Sequence, residues 1–237
     1  MAATTGRPTT LADALFPRVN SKNQALRIAR EVVLMLGFAA FVAVCAQIAV
    51  RLPWTTVPIT GQTFAALVTG GALGAWRGAG ALSIYMLLGM IGAPVFAPSL
   101  NMTGKTVHFV LPWSGTSGFP WDLSSGGYIV GFILAAALVG FIAQRGWDRK
   151  PWLLAGMLAG NALIYVPGLL WLGYLISSGW IHPVALKPLG DLIAGSSTLE
   201  KTLVGGLYTF ILGDLIKLYA ASLTLPAAWA IVGRFRR

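Results

Sequence analysis

The chain of 237 residues is 56% hydrophobic and only 10% charged, and it carries a formal net charge of +10. With a mean hydropathy of +0.74, this composition excludes a soluble globular protein and a disordered one. It indicates an all-α polytopic membrane protein, and its single cysteine, Cys45, excludes an intrachain disulfide.

The first 30 residues form a polar, basic segment that includes Arg7, Arg18 and Lys22. A cleavable signal peptide would instead show a short apolar stretch that ends in small residues. We therefore expect residues 1–30 to be an arm that stays in the cytoplasm.

Six apolar stretches follow, each close to the roughly 20 residues that a membrane span requires. They cover residues 31–50, 57–76, 79–97, 127–143, 152–176 and 203–233. We expect them to form a bundle of six transmembrane helices in a single membrane domain, residues 31–237. Pro167 in the fifth stretch predicts a kink or a break. Residues 94–125 are rich in Gly, Pro, Ser and Trp, so they are expected to form an outer lid loop rather than to cross lipid.

The distribution of basic residues predicts how the bundle is oriented. With six spans and a cytoplasmic amino end, twelve of the 17 Lys and Arg residues fall on the cytoplasmic side. The remaining five are Arg51, Lys105, Lys187 and Lys201 outside and Lys217 within a span. This positive-inside pattern places both termini in the cytoplasm and explains the net charge without a nucleic-acid partner. A basic surface beside the lipid bilayer would additionally favour anionic lipid.

The most informative motif is GDLIK at residues 213–217, in the middle of the last apolar stretch. Each ion in a span costs about 2.5 to 3.5 kcal/mol on insertion scales, and residues three apart share a helix face. Asp214 and Lys217 should therefore point inward together. Two interpretations remain open, an ion pair that stabilises the bundle and a ligand site. Nearby polar residues such as Gln62 and Asn161 could contact a ligand, although each alone is more often a helix–helix hydrogen bond.

The sequence contains no convincing catalytic pattern. Gly104-Lys105-Thr106 resembles the end of a phosphate-binding loop, but Ser99 stands where the first glycine of that motif belongs. His108 and His182 lie in outer loops without partners at metal-ligand spacing, so we expect solvated histidines. We expect no catalytic residues, no metal site and no cofactor, and a continuous polar pore lining that would indicate a channel is not apparent.

Several segments together resemble the BioY family, the biotin-specific substrate-binding (S) components of energy-coupling factor (ECF) transporters. The segments are AAFVAVCAQ at 39–47, VPITGQT at 57–63, YMLLG at 85–89, GAPVFA at 92–97, GGY at 126–128, GF at 131–132 and GDLIK at 213–217. They occur in the order of the family, and PITGQT and GDLIK are the most specific. The chain departs from the family in a longer linker at residues 98–123 and in the added amino-terminal arm.

The resemblance implies the six-helix S-component fold and high-affinity capture of biotin from the outer side of the cytoplasmic membrane of a prokaryote. It implies two kinds of partner, a membrane scaffold (the T component) and two cytoplasmic ATPases that hydrolyse ATP. Ala39 and Ala43 resemble the family's contact with the scaffold. A solitary biotin transporter that works as a homo-oligomer is an alternative, as is an S component or small transporter for another vitamin or small carboxylate.

The resemblance and the chemistry of biotin together suggest a set of site residues. Asp214 would accept hydrogen bonds from the ureido N–H groups, and Lys217 would donate to a carbonyl or carboxylate oxygen. Arg51, near the outer end of the first span, is a candidate partner for the valerate carboxylate. The remaining candidates are Gln62, Asn161 and Tyr165 for polar contacts, and Tyr85, Phe96, Gly127 and Tyr128 for packing on the ring and chain.

Overall fold

The computed structural model describes residues 10–16, 23–98, 106–149 and 152–235. The helices are α1 (Leu11–Leu15), α2 (Gln24–Gln47), α3 (Gln62–Leu73), α4 (Ala75–Met90), α5 (Gly126–Gln144), α6 (Leu153–Ser177), α7 (Thr198–Leu203) and α8 (Ile211–Phe235). A π-helical turn, Val204–Tyr208, joins α7 to the turn before α8. Strands β1 (Ala49–Val50), β2 (Ile59–Thr60) and β3 (Val107–His108) form an antiparallel sheet in the order β2-β1-β3. Arg7, Arg18, Lys22 and Lys105 lie outside the described residues.

Four helical stretches of the described chain have the length and composition of a membrane span. They are Gln24–Gln47, Gly126–Gln144, Leu153–Ser177 and Thr198–Arg234. The second and third predicted stretches correspond to the shorter helices α3 and α4, with 12 and 16 residues. The chain turns between them at Gly74, whose φ of +87° favours glycine. Helix α6 runs from Leu153 to Ser177 through Pro167, so this proline does not break it.

Small residues let the neighbouring helices approach the backbone of α5 closely. A Cβ atom on Gly70 of α3 would lie 2.4 Å from the carbonyl oxygen of Ala136. A Cβ atom on Gly131 of α5 would lie 2.7 Å from the carbonyl oxygen of Ile164. Because neither position has room for a side chain, these glycines mediate the packing of α3 and α6 against α5.

Ala39 and Ala43 lie on the inner face of α2. They are 0% and 5% exposed, and α2 packs there against α3 and α4. In this conformation the chain's own helices cover both residues, and their contact with a scaffold stays a prediction.

A buried cluster of charges holds one end of the bundle together. Arg77 in the first turn of α4 is 3% exposed, lies 3.0 Å from the Asp13 carboxylate and also pairs with Glu31. Arg30 lies 2.9 Å from the same Asp13 oxygen. Paired in this way, the buried charges avoid the large cost of an isolated ion. Arg77 therefore lies in the first turn of α4, where the sequence predicted a connecting loop, and its paired charge stabilises this end of the bundle.

The first and the last parts of the chain that the structure describes both lie near this cluster of charges. Asp148, between α5 and α6, accepts a hydrogen bond from the indole of Trp229 near the end of α8. Thr10 and Gln144 both lie against Gly74 in the turn between α3 and α4. We call this end of the bundle the charged end. The opposite end, the loop end, carries the connections at residues 48–61, 91–98, 106–125 and 178–197.

Candidate functional site

A cavity lies between α3, α5, α6 and α8, toward the loop end, and we call it the central cavity. The space between its walls is about 550 Å³, including open solvent at its mouth. Its apolar walls include Phe96, Phe132 and Phe210. Its polar lining residues are Thr60, Gln62, Thr63, Ser125, Tyr128, Tyr165, Asp214 and Lys217.

The charged pair on α8 faces this cavity. Asp214 is 4% exposed, and the Lys217 Nζ atom lies 2.6 Å from its Oδ1 atom. Oδ1 accepts no hydrogen bond of good geometry from the described residues, whereas Oδ2 accepts one of 2.6 Å from the Tyr165 hydroxyl. Lys217 also donates to the carbonyl oxygen of Thr60 at 3.2 Å. The pair is thus enclosed within the bundle, with Oδ1 buried beside the Lys217 ammonium.

A second polar chain begins at the start of α3. The Thr60 hydroxyl donates to Gln62 Oε1 at 2.8 Å, and Gln62 Nε2 donates to the Tyr85 hydroxyl at 2.7 Å. Tyr85 is fully buried behind the cavity wall and packs edge-on against Phe96, with 5.4 Å between ring centroids. Gly89 leaves the space that the Phe96 ring fills. Tyr85 therefore orients Gln62 and Phe96 from behind and does not line the cavity itself.

Tyr128 closes the cavity between α5 and the π-helical turn. Its hydroxyl donates to the carbonyl oxygen of Gly206 at 2.8 Å, and its ring lies 6.1 Å from that of Tyr165 in an edge-on arrangement. Phe210 packs on the other side of Tyr128 at 6.5 Å. Phe210 was not predicted from the sequence, although its position four residues before Asp214 offered a signal, since such residues share a helix face.

Besides Tyr85, three further predicted site residues do not line the central cavity. Gly127 packs against Pro167 and Trp171 on α6. Asn161 lies one helical turn from Tyr165, and its Oδ1 atom is buried without a hydrogen-bond partner among the described residues. Arg51 lines a second cavity at the loop end, about 670 Å³ including open solvent at its mouth, which we call the outer cavity.

The outer cavity adjoins the central cavity. Both are lined by Pro58, Phe96, Ala97 and Ser125. Arg51 therefore lies on the far side of a shared wall, and burial lowers the pKa of its guanidinium from the usual value. A ligand that extended past this wall into the outer cavity would contact the Arg51 guanidinium.

Both histidines are buried, so the expectation of solvated side chains was wrong. His108 is 6% exposed, with Nδ1 2.7 Å from the carbonyl oxygen of Gln47 and Nε2 3.1 Å from the hydroxyl of Ser114. His182 is 8% exposed and accepts from two backbone amides. Each imidazole stabilises an irregular connection through these hydrogen bonds. The contacts depend on the fold, so the sequence alone does not reveal them. The described residues contain no cluster of three His, Cys, Asp or Glu able to hold a metal ion.

Comparison with known proteins gives consistent matches. A model of the BioY family matches residues 17–234. The biotin transporter BioY of Thermotoga maritima is 31% identical over 186 residues, 78% of this chain and 88% of that protein. The probable biotin transporter BioY of Pyrococcus horikoshii is 30% identical over 189 residues, 80% of this chain and 90% of that protein.

A solved structure shares the fold. The S-component for biotin from an ECF-type ABC transporter superposes with a TM-score of 0.61 at 20% sequence identity. The superposition covers 87% of this chain and 94% of that chain.

Proposed function

The chain belongs to the BioY family, and on that premise we propose that it captures biotin and takes part in its uptake as the substrate-binding subunit of an ECF-type transporter. It is a transport subunit and not an enzyme, so ATP hydrolysis belongs to separate ATPases. The central cavity is the proposed biotin site.

The observation that carries this proposal is the Asp214–Lys217 pair in the wall of the central cavity. Biotin presents two ureido N–H donors, one ureido carbonyl and, at its other end, a carboxylate. Asp214 Oδ1 lies beside Lys217 and takes no well-directed hydrogen bond from the described residues, so it can accept from a ureido N–H. Lys217 has three protons, which allows it to donate to the ureido carbonyl while it stays ion-paired with Asp214 and hydrogen-bonded to Thr60.

The remaining residues suit the rest of the ligand. Phe96, Phe132 and Phe210 offer apolar surface for the sulfur-containing ring. With the ureido ring at Asp214, the valerate chain would extend along the shared wall into the outer cavity, where Arg51 can pair with its carboxylate. Gln62, Tyr128 and Tyr165 complete the proposed site, Tyr85 supports it from behind, and Asn161 and Gly127 act through the packing of α6 and α5.

We further propose six spans with the charged end in the cytoplasm. Helices α3 and α4 would supply the second and third spans together with the turns that flank them. Arg30, Arg77, Arg145 and Arg234 lie at or near the charged end, as the positive-inside rule requires of a cytoplasmic face. The loop end, with both cavities, then faces the outside of the cytoplasmic membrane.

A T component and two ATPases are the partners proposed from the family. Since Ala39 and Ala43 are covered in this conformation, contact with a scaffold through them would require α2 to move. A solitary transporter that acts as a homo-oligomer is the alternative arrangement.

Binding of labelled biotin to the purified chain in detergent tests the function. We expect saturable binding that unlabelled biotin displaces and that riboflavin, thiamine and lipoate do not. Displacement by another of these vitamins in preference to biotin would contradict the proposal.

Uptake into liposomes, with and without scaffold and ATPases, then tests the arrangement. Uptake that needs both partners and ATP is expected of an S component. Uptake by the chain alone would contradict strict dependence on partners and favour the solitary transporter.

A further inference from the structure

The π-helical turn Val204–Tyr208 leaves two backbone carbonyls without their usual helical donors. In an α-helix the carbonyl oxygens of Gly205 and Gly206 would accept from the amides of residues four positions later. Here the amides of Thr209 and Phe210 both donate to the carbonyl oxygen of Leu207. Gly205 and Gly206 are buried, so their carbonyls need other donors.

Side chains from two other parts of the chain supply these donors. The Thr55 hydroxyl donates to the Gly205 carbonyl at 2.7 Å, and the Tyr128 hydroxyl donates to that of Gly206 at 2.8 Å. A Cβ atom at Gly205 would lie 2.7 Å from Ile193, and one at Gly206 would lie 2.5 Å from the Tyr128 hydroxyl. Glycine at 206 therefore lets the Tyr128 hydroxyl reach the backbone, and glycine at 205 leaves room for the Ile193 side chain.

The Thr55 bond joins the two walls that enclose the proposed biotin site. Thr55 lies in the connection between α2 and α3, is 5% exposed, and accepts from the Val57 amide at 3.2 Å. Val57 lines the central cavity, as does Phe210, which lies two residues after the turn that the Thr55 hydroxyl holds. The same hydroxyl thus ties a loop wall to the segment that leads into Asp214.

We propose that Thr55 is a positioning residue that sets how fast the loop end of the site opens. This inference rests on the proposed function. Thr55 lines the outer cavity and not the central cavity. Its hydroxyl donates to a buried backbone carbonyl and accepts from a backbone amide, so both of its hydrogen bonds lie within the protein. The bond to Gly205 therefore stabilises the closed wall whether or not ligand is bound, and breaking it accelerates both access and release of biotin.

The test compares Thr55→Val, which keeps the shape and removes the hydroxyl, with Thr55→Ser, which keeps the hydroxyl. Stopped-flow binding of biotin to the full chain in detergent gives the association and dissociation rates. We expect both rates to rise about tenfold in Thr55→Val, because a buried carbonyl loses its donor, while Kd stays within about threefold. Thr55→Ser should restore the wild-type rates. Trp54→Phe removes a more exposed bond from the same loop to Thr209 and should change either rate by less than about twofold.

Unchanged rates in Thr55→Val, or faster dissociation alone with a matching loss of affinity, would overturn the proposal. Hydrogen exchange of the Ala194 amide, which donates to the carbonyl oxygen of Trp54 at 3.2 Å, reports opening of the loop without ligand. It should be about tenfold faster in Thr55→Val than in wild type or Thr55→Ser. If the wild-type chain did not bind biotin, the proposed function would fail, and this exchange rate would still decide the role of Thr55.

Discussion

The hydroxyl of Tyr165 holds one oxygen of the Asp214 carboxylate and leaves the other facing Lys217. Tyr165→Phe keeps the ring and its edge-on contact with Tyr128 and removes only this hydrogen bond. Because bonds to charged groups are worth about 1.5–3 kcal/mol, we expect biotin affinity to fall about tenfold or more in an equilibrium binding assay. Tyr174→Phe, an exposed position on the same helix, should leave affinity unchanged, and equal affinity in both variants would show that the Tyr165 hydroxyl does not orient Asp214.

Helix periodicity explains which site residues the sequence reveals. Asp214 and Lys217 share a face of α8 at any rotation of that helix, so their pairing follows from spacing alone. Asn161 and Tyr165 share a face of α6 in the same way, but only Tyr165 lies at the depth of the central cavity. The depth of a residue in the bundle depends on how far its helix is shifted along its neighbours. No local pattern in a single sequence reveals that shift.

Close packing of α3 against α5 depends on glycine. Gly70→Ala would place a methyl group 2.4 Å from the Ala136 carbonyl oxygen, and overpacking of this kind costs about 1–3 kcal/mol. We expect the variant to unfold at a lower temperature in detergent. Gly37→Ala is the matched control, since nothing lies within 4 Å of its Cβ position on α2 and alanine favours a helix. If Gly70→Ala were as stable as Gly37→Ala, the α3–α5 interface would be looser than described.

The connection between α6 and α7 contains a histidine that must stay neutral. His182 Nδ1 accepts from the amides of Val184 and Ala185 at 3.3 and 3.2 Å, and burial lowers its pKa from the usual value of 6.5. Because the folded pKa lies below the unfolded one, the stabilisation is present above about pH 6.5 and is lost as the pH falls through the folded pKa.

Hydrogen exchange of the Leu186 amide, corrected for its intrinsic rate, measures this effect because that amide donates to the carbonyl oxygen of His182. We expect protection near pH 7.5 to decline toward pH 5 in wild type. His182→Asn supplies an acceptor that does not titrate and should abolish the pH dependence. A pH dependence that persisted in His182→Asn would assign it to another group.

At the level of elements, hydropathy located all the long helices but not the irregular connections. Residues 57–76 and 79–97 have the apolar character of full spans, yet their helices are α3 and α4, with 12 and 16 residues. Residues 59–60 pair with β1 instead, and the chain turns at Gly74. Hydropathy reports burial in an apolar medium and does not distinguish a span from an apolar turn inside a bundle.

The whole molecule has two chemically different ends, and its predicted orientation is testable. In a Cys45→Ala background, Lys187→Cys at the loop end should react with a membrane-impermeant maleimide added to intact cells. Arg145→Cys, exposed near the charged end, should react only after the membrane is permeabilised. The reverse labelling pattern would invert the proposed topology.

The amino-terminal segment makes a contact that its composition does not reveal. Within the predicted polar arm at residues 1–30, α1 packs on the charged end with Leu11 and Ala12 buried. Asp13 makes this possible because Arg77 and Arg30 neutralise it. A pairing between residues 64 positions apart leaves no local pattern in a single sequence.

Equilibrium binding of labelled biotin to Asp214→Asn and Lys217→Met tests the central claim most directly. Each substitution removes a charged hydrogen-bonding partner proposed for the ureido group, worth about 1.5–3 kcal/mol, so each variant should lose about tenfold to 100-fold in affinity. The matched controls are Asp148→Asn, a buried carboxylate at the charged end, and Lys201→Met, whose ammonium donates to Gly190 outside the central cavity. Both should bind like wild type. Wild-type affinity in Asp214→Asn and Lys217→Met would show that the pair only stabilises the bundle and that biotin binds elsewhere.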